Sequence, residues 1–203
     1  MRFLEDSMFR SWLSESGILR EGPDYTDRLS FSSVASCRQF WFPSFVPSEL
    51  PGFIAVALQA ISPHGPYYIA RRGGGTWQDG ESESTINNQI IDSMLGSFGV
   101  AMHAEGAIRF EESEWKHLLA IVLTFYVYGW SVGQEIFILA EERDAILHPS
   151  HHGELYGTFK DAEVMEKFRS TLLSGGYDLP TESIGSSFQN PRWLVGRARR
   201  GET

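Results

Sequence analysis

The chain has 203 residues, of which 42% are hydrophobic and 13% aromatic. This is enough apolar material for one folded domain and excludes the disordered class. The formal net charge of −9 disfavours direct binding to the phosphate backbone of a nucleic acid. The single cysteine, Cys37, excludes an internal disulfide and predicts a reducing compartment.

The sequence predicts neither an export signal nor a membrane span. Glu5 and Asp6 interrupt the apolar stretch that a signal peptide would need. The longest apolar run, Leu118 to Tyr128, is shorter than the roughly 20 residues that cross a bilayer. We therefore expect a cytoplasmic protein with no membrane partner.

The first quarter of the chain offers few regular patterns. A helix is predicted at the start, because six apolar residues fall on one helical face before Gly17. Residues 17–51 are rich in Ser, Pro and aromatic residues and are interpreted as irregular chain. Residues 52–61 fit either a helix that begins at Ser48 or a buried strand. The six apolar residues are Phe3, Leu4, Met8, Phe9, Trp12 and Leu13.

The middle of the chain predicts a short strand and two helices. Residues 66–72 are typical of a strand that ends at a triple glycine. A helix follows, with Ser84 as its candidate cap and its apolar side chains at helical spacing up to Phe98. Residues 100–110 fit either a strand or a loop. The next helix is apolar on nearly every side after Lys116, which predicts a central, buried position.

The last third has the clearest pattern. Strands are predicted at 134–140, 145–148 and 154–159, followed by a helix that Asp161 caps and Gly175 closes. Three strands and then a helix favour an antiparallel meander with a helix on one face. The predicted fold class is therefore α+β, with an antiparallel sheet and helices packed mainly on one face.

The predicted organisation is a single α+β domain over residues 1–187 and a basic tail over 188–203. The tail holds four Arg and one Glu, so the rest of the chain is more acidic than the whole. An alternative division places an N-terminal lobe at 1–80 and a C-terminal lobe at 100–180.

A histidine cluster is the first place to look for catalysis. His148, His151 and His152 lie close to Glu154, and imidazole is the commonest transition-metal ligand. Adjacent histidines in a turn usually point in different directions, however, and no HExxH or CxxC motif accompanies them. The sequence also lacks the GxSxG motif and the GK[ST] ending of a phosphate-binding loop. We predict no catalytic residue, no metal and no cofactor.

The acidic and aromatic residues point instead to a partner-binding surface. Acidic side chains at helix starts and strand ends select a cationic partner and accelerate its association. Two Trp residues in loop-like chain are suitable interface anchors. The alternative is that the acids are merely solvated and the Trp residues cover the core. The candidate residues are Trp41, Trp77, Glu111, Glu112, Glu141, Glu142, Asp144, His151, His152 and Glu154.

Three segments carry a resemblance to a known group: Tyr128-Gly-Trp130, the strand Glu135 to Leu139, and Ser150 to Tyr156. Over residues 111–180 the chain resembles small bacterial immunity proteins encoded beside polymorphic or type VI secreted toxins. The similarity is greatest to those paired with restriction-endonuclease-type nuclease toxins. The resemblance implies a non-catalytic protein that occludes the active site of a cognate toxin.

The partner that this resemblance implies is a protein toxin, basic at its active site, and we expect the chain to be a monomer or homodimer. Two alternatives from other classes stay open. One is a small metal-dependent hydrolase that uses His148, His151 and His152. The other is an oligomeric accessory protein.

Overall fold

The structure is a computed structural model that describes residues 1–21, 28–41, 47–72, 77, 86–100, 104–129, 135–149 and 155–177. Both strands and helices are abundant in this part of the chain, and the α+β prediction is confirmed. Seven of the described strands form one antiparallel sheet, and two others form a separate hairpin.

The strands of the large sheet follow the order β1-β6-β5-β7-β8-β9-β4, and β2 pairs with β3. The sheet therefore contains strands from both of the ranges 1–80 and 100–180. The strands are β1 (Arg2–Leu4), β2 (Ile18–Glu21), β3 (Arg28–Phe31), β4 (Cys37–Trp41), β5 (Tyr67–Arg71), β6 (Ala107–Phe110), β7 (Ile136–Ala140), β8 (Ala145–Pro149) and β9 (Leu155–Phe159).

Helices cover mainly one face of this sheet. The helices are α1 (Asp6–Glu15), α2 (Leu50–Ile61), α3 (Ile86–Ser97), α4 (Trp115–Tyr128) and α5 (Ala162–Ser174). Helices α2 to α5 share a large hydrophobic core with one face, whereas α1 and the β2–β3 hairpin pack on the other. None of the described helices is long and apolar enough to cross a membrane.

Because side chains alternate along each strand, successive residues contribute to the two hydrophobic cores on opposite faces of the sheet. In β7, Ile136 and Ile138 point to the large core, and Phe137 and Leu139 point to the small one. All residues of β7 are buried, because this central strand is covered on both sides. Its continuous apolar sequence follows from that position.

Local signals explain where the last two helices begin. Asp161 accepts a hydrogen bond from the backbone N–H of Val164 at 2.9 Å, which satisfies a free donor at the start of α5. Glu111 and Glu114 form a reciprocal capping box around a 3₁₀ turn that leads into α4. The same acids also suit the positive end of the helix dipole.

Two predictions about the N-terminal region are wrong. Phe3 and Leu4 belong to strand β1 and not to the first helix, and Met8 is 59% exposed. Residues 17–51 contain β2, β3 and β4 and are not wholly irregular. These strands are short, and pairing decides their conformation. Strands β1 and β4 pair with β6 and β9, which are distant in the chain, and β2 and β3 pair with each other.

Candidate partner-binding site

Acidic residues gather at one end of the large sheet, which we call the acidic end. Tyr67 at the start of β5 pairs with Phe110 at the end of β6 and with Ala140 at the end of β7. Because neighbouring strands are antiparallel, the residues after β6 and β7 and before β8 emerge side by side. These are Glu111, Glu112, Glu141, Glu142 and Asp144, all of which the sequence had singled out.

Three of these acids are neutralised by basic neighbours. Glu111 forms an ion pair with Arg109. Glu141 lies 3.5 Å from Arg143. Asp144 lies 3.2 Å from the amino group of Lys160. Pairs this exposed contribute about 1 kcal/mol or less to stability.

Glu112 and Glu142 differ from the other three. Glu112 is 67% exposed at its side chain and lies 3.3 Å from the imidazole of His64. Glu142 accepts a hydrogen bond from the Ser62 hydroxyl at 2.7 Å. Within the described residues, neither acid contacts a Lys or Arg side chain, so the acidic end retains negative charge there.

A groove of about 170 Å³ opens beside Glu112, between α2 and the start of α4. One exposed apolar wall is Trp115, which is 42% exposed although it begins a largely buried helix. A single carboxylate therefore stands at the rim of a mainly apolar groove. The lining residues are Ala55, Leu58, Gln59, Pro63, Tyr67, Glu112 and Trp115.

Hydrogen bonds hold the floor of the groove in place. The Tyr67 hydroxyl donates to the Ser62 carbonyl at 2.5 Å, and the Gly65 N–H donates to the Ser62 hydroxyl at 2.9 Å. Burial, together with the nearby carboxylates of Glu142 and Glu112, raises the pKa of Tyr67 to about 12. The phenol therefore stays neutral at physiological pH, and the groove is organised before any partner arrives.

The chemistry of the groove suits a cationic side chain. A Lys or Arg lying over the face of Trp115 would gain a cation–π contact, and Glu112 is placed to accept its hydrogen bonds. An exposed aromatic surrounded by polar side chains is also the usual composition of an interface centre.

The predicted aromatic anchors are placed differently from Trp115. Trp77 is 1% exposed, donates from Nε1 to the Gly106 carbonyl at 3.1 Å, and packs edge-on against Phe125. It therefore covers the core, which was the alternative interpretation. Trp41 was expected in loop-like chain but ends strand β4, and its side chain lies outside the described part.

Sequence reasoning missed Trp115 as a surface residue, because its spacing matched the buried face of α4. The signal of its exposure is its position on the first turn of α4, directly after Glu111, Glu112 and Glu114. A side chain on the first turn of a helix lies at its end, outside the elements that cover the middle of the helix.

Of the histidine cluster, only His148 is described, since His151, His152 and Glu154 lie outside the described residues. His148 is 6% exposed, and its Nε2 lies 2.8 Å from the Glu135 carboxylate. Nε2 of His148 is therefore engaged by Glu135 and does not face an open site. Among the described residues, no three His, Cys, Asp or Glu side chains converge as a metal site would require.

No family model, curated protein or solved structure matches this chain.

Proposed function

We propose that the chain is a non-catalytic binding protein whose acidic end takes a basic protein partner. In keeping with the resemblance in residues 111–180, the proposed partner is a cognate secreted toxin, of the nuclease kind, whose active site the chain occludes. The observation that supports this most is the exposed Trp115 beside Glu112, over a groove fixed by its own hydrogen bonds.

The sign of the charge supports a partner of this kind. A nuclease that binds a phosphate backbone needs a cationic active site. The acidic end complements such a surface, and the net charge of −9 attracts it at longer range. Rim charges mainly raise the association rate, whereas a desolvated aromatic centre mainly slows dissociation.

The size of the groove also fits the centre of a larger interface. It holds one side chain, whereas a stable complex buries on the order of 800 Å² on each partner. Glu111, Glu141 and Asp144 would lie around that centre, where their ion pairs with Arg109, Arg143 and Lys160 can be exchanged for pairs with the partner.

Coexpression with the product of the neighbouring gene tests the proposal. We expect rescue of growth and a purified complex. Glu112→Gln and Trp115→Ala should each weaken that complex by at least about tenfold. Glu112→Gln should act mainly on the association rate and Trp115→Ala mainly on the dissociation rate.

Matched controls separate the groove from general surface effects. Glu166→Gln removes a carboxylate of similar exposure from α5, and Leu173→Ala removes a 59% exposed apolar side chain from the same helix. Neither should alter affinity. Absence of both rescue and complex at micromolar concentration would contradict the proposal, as would equal losses from the controls.

A further inference from the structure

One arginine at the acidic end is held by a carboxylate and an aromatic ring together. Arg143 lies 3.5 Å from the Glu141 carboxylate, and its guanidinium carbon is 4.9 Å from the centre of the Trp12 ring. Trp12 in turn packs on Tyr68 of β5, with ring centres 4.4 Å apart. Arg143 has φ +60°, a backbone conformation that residues other than glycine rarely adopt. The backbone thus gives no reason for an arginine at this position, whereas the contacts of its side chain do.

A second arginine at the same end has partners of the same two kinds. Arg109 forms an ion pair with Glu111, and its guanidinium carbon is 6.0 Å from the centre of the Tyr68 ring. Its Nε also donates to the Tyr68 hydroxyl at 3.1 Å. A guanidinium can serve both partners because it is planar, so that its face meets a ring while its N–H groups point sideways to a carboxylate.

Trp115 and Glu112 provide the same pair of partners at the groove, since both line it. Among the described residues, no guanidinium lies over the Trp115 ring, and the basic neighbour of Glu112 is His64. Exposure differs accordingly, because Trp12 is 9% exposed and Trp115 is 42% exposed. The ring and the carboxylate that together would hold an arginine are therefore both accessible at the groove.

We propose that the groove binds the side chain of an arginine, in preference to a lysine, presented by the partner protein. This inference rests on the proposed function and names the residue type that the groove recognises. The guanidinium would stack on Trp115 and donate a pair of hydrogen bonds to Glu112. The ammonium group of lysine is compact and more strongly hydrated, so it gains less from the ring and costs more to transfer from water. The apolar side chains of Ala55, Leu58 and Pro63 would cover the methylene stem.

Short capped peptides test this preference with the full-length chain and without the partner. The probes are N-acetyl-Gly-Arg-Gly-amide and two matched peptides, one with lysine and one with citrulline, which keeps the shape of arginine without its charge. NMR shifts of backbone amides around the groove measure binding. We expect the arginine peptide to bind at least about threefold more tightly than the lysine peptide. It should bind at least about tenfold more tightly than the citrulline peptide.

Variants of the ring and of the carboxylate separate the two contacts. Trp115→Leu keeps an apolar wall and should remove the preference for arginine over lysine. Glu112→Gln should weaken the binding of both cationic peptides, because both depend on its charge. Glu166→Gln, which removes an exposed carboxylate from α5, is the matched control and should leave all three affinities unchanged.

The peptide titrations do not depend on the partner, so the inference and the proposed function can fail separately. No saturable binding of the arginine peptide, equal affinity for the arginine and lysine peptides, or an arginine preference that survives in Trp115→Leu would overturn the inference. If the complex still forms and Trp115→Ala weakens it, the proposed function stands without the inference. An arginine preference without any complex would support the inference and contradict the proposed function.

Discussion

Nε2 of His148 lies 2.8 Å from a carboxylate oxygen of Glu135, and both side chains are buried in the face of the sheet covered by α1 and the β2–β3 hairpin. Glu135 precedes β7 and His148 lies near the end of β8, so the contact depends on the pairing of these two strands. The same carboxylate oxygen binds Arg72. Glu135 therefore joins the neighbouring strands β5, β7 and β8 at the end of the sheet opposite the acidic end.

Replacing Glu135 should be costly. Glu135→Gln removes the buried carboxylate that binds both the Arg72 guanidinium and His148, and we expect a loss of about 3 kcal/mol in the free energy of unfolding. Urea denaturation of the variant and the wild type measures this loss. Glu166→Gln, on the surface of α5, should change stability by about 0.5 kcal/mol or less. A loss below about 1 kcal/mol for Glu135→Gln would show that the carboxylate does not organise this end.

Stability should fall as the pH is lowered. Burial is the main reason that the pKa of His148 lies below its ordinary value of 6.5. The unfolded chain therefore takes up the proton first, so the free energy of unfolding decreases as the pH falls through 6.5 toward the lower folded pKa. Urea titrations at several pH values should show this decrease. His148→Gln should flatten it, whereas replacement of the exposed His64 by Gln should not.

The two tryptophans of opposite exposure should respond differently to truncation. Trp77 is 1% exposed and makes a hydrogen bond to Gly106, so Trp77→Ala should cost about 3–5 kcal/mol. Trp115 is 42% exposed, so Trp115→Ala should cost about 1 kcal/mol. Urea denaturation of the two variants compares these losses in the free energy of unfolding. Equal losses would mean that Trp115 supports the core and is not free to serve as an anchor.

Gly106 should tolerate no side chain. Its φ is +100°, and a Cβ there would lie 2.2 Å from the carbonyl oxygen of Leu4 in the adjoining strand β1. Gly106→Ala should therefore cost about 3 kcal/mol or more, through steric overlap added to backbone strain. Gly99 has φ +76° with nothing within 4 Å, so Gly99→Ala should cost only about 1 kcal/mol. Thermal denaturation of both variants tests whether close approach, and not φ alone, decides the difference.

Sequence patterns were most informative where structure is local. Helix α5 carries its cap at Asp161 and its buried Phe168 and Leu172 at helical spacing. Strands β7 to β9 follow one another through short connections and were all predicted near their observed positions. By contrast, β1 has only three residues, and its conformation depends on pairing with β6 about a hundred residues later. No local pattern distinguishes such a segment from the start of a helix.

The two ends of the sheet likewise differ in how far local sequence patterns identified their residues. The acids of the acidic end were recognisable from composition, because charged residues beside helix starts and strand ends are usually exposed. Glu135 was overlooked because it stands at the edge of an apolar strand and looked like part of the core segment.

The sequence by itself determined the α+β class, the C-terminal meander with its capped helix, and the acidic character of the surface. These depend on hydrophobic period, caps and charge, which act over a few residues. The tertiary structure alone decided that Trp115 is exposed and Trp77 is buried, and that Glu135 meets His148 and Arg72. These facts depend on which strands pair and which helix covers them. Side chains that are far apart in the chain come into contact only when those elements pack together.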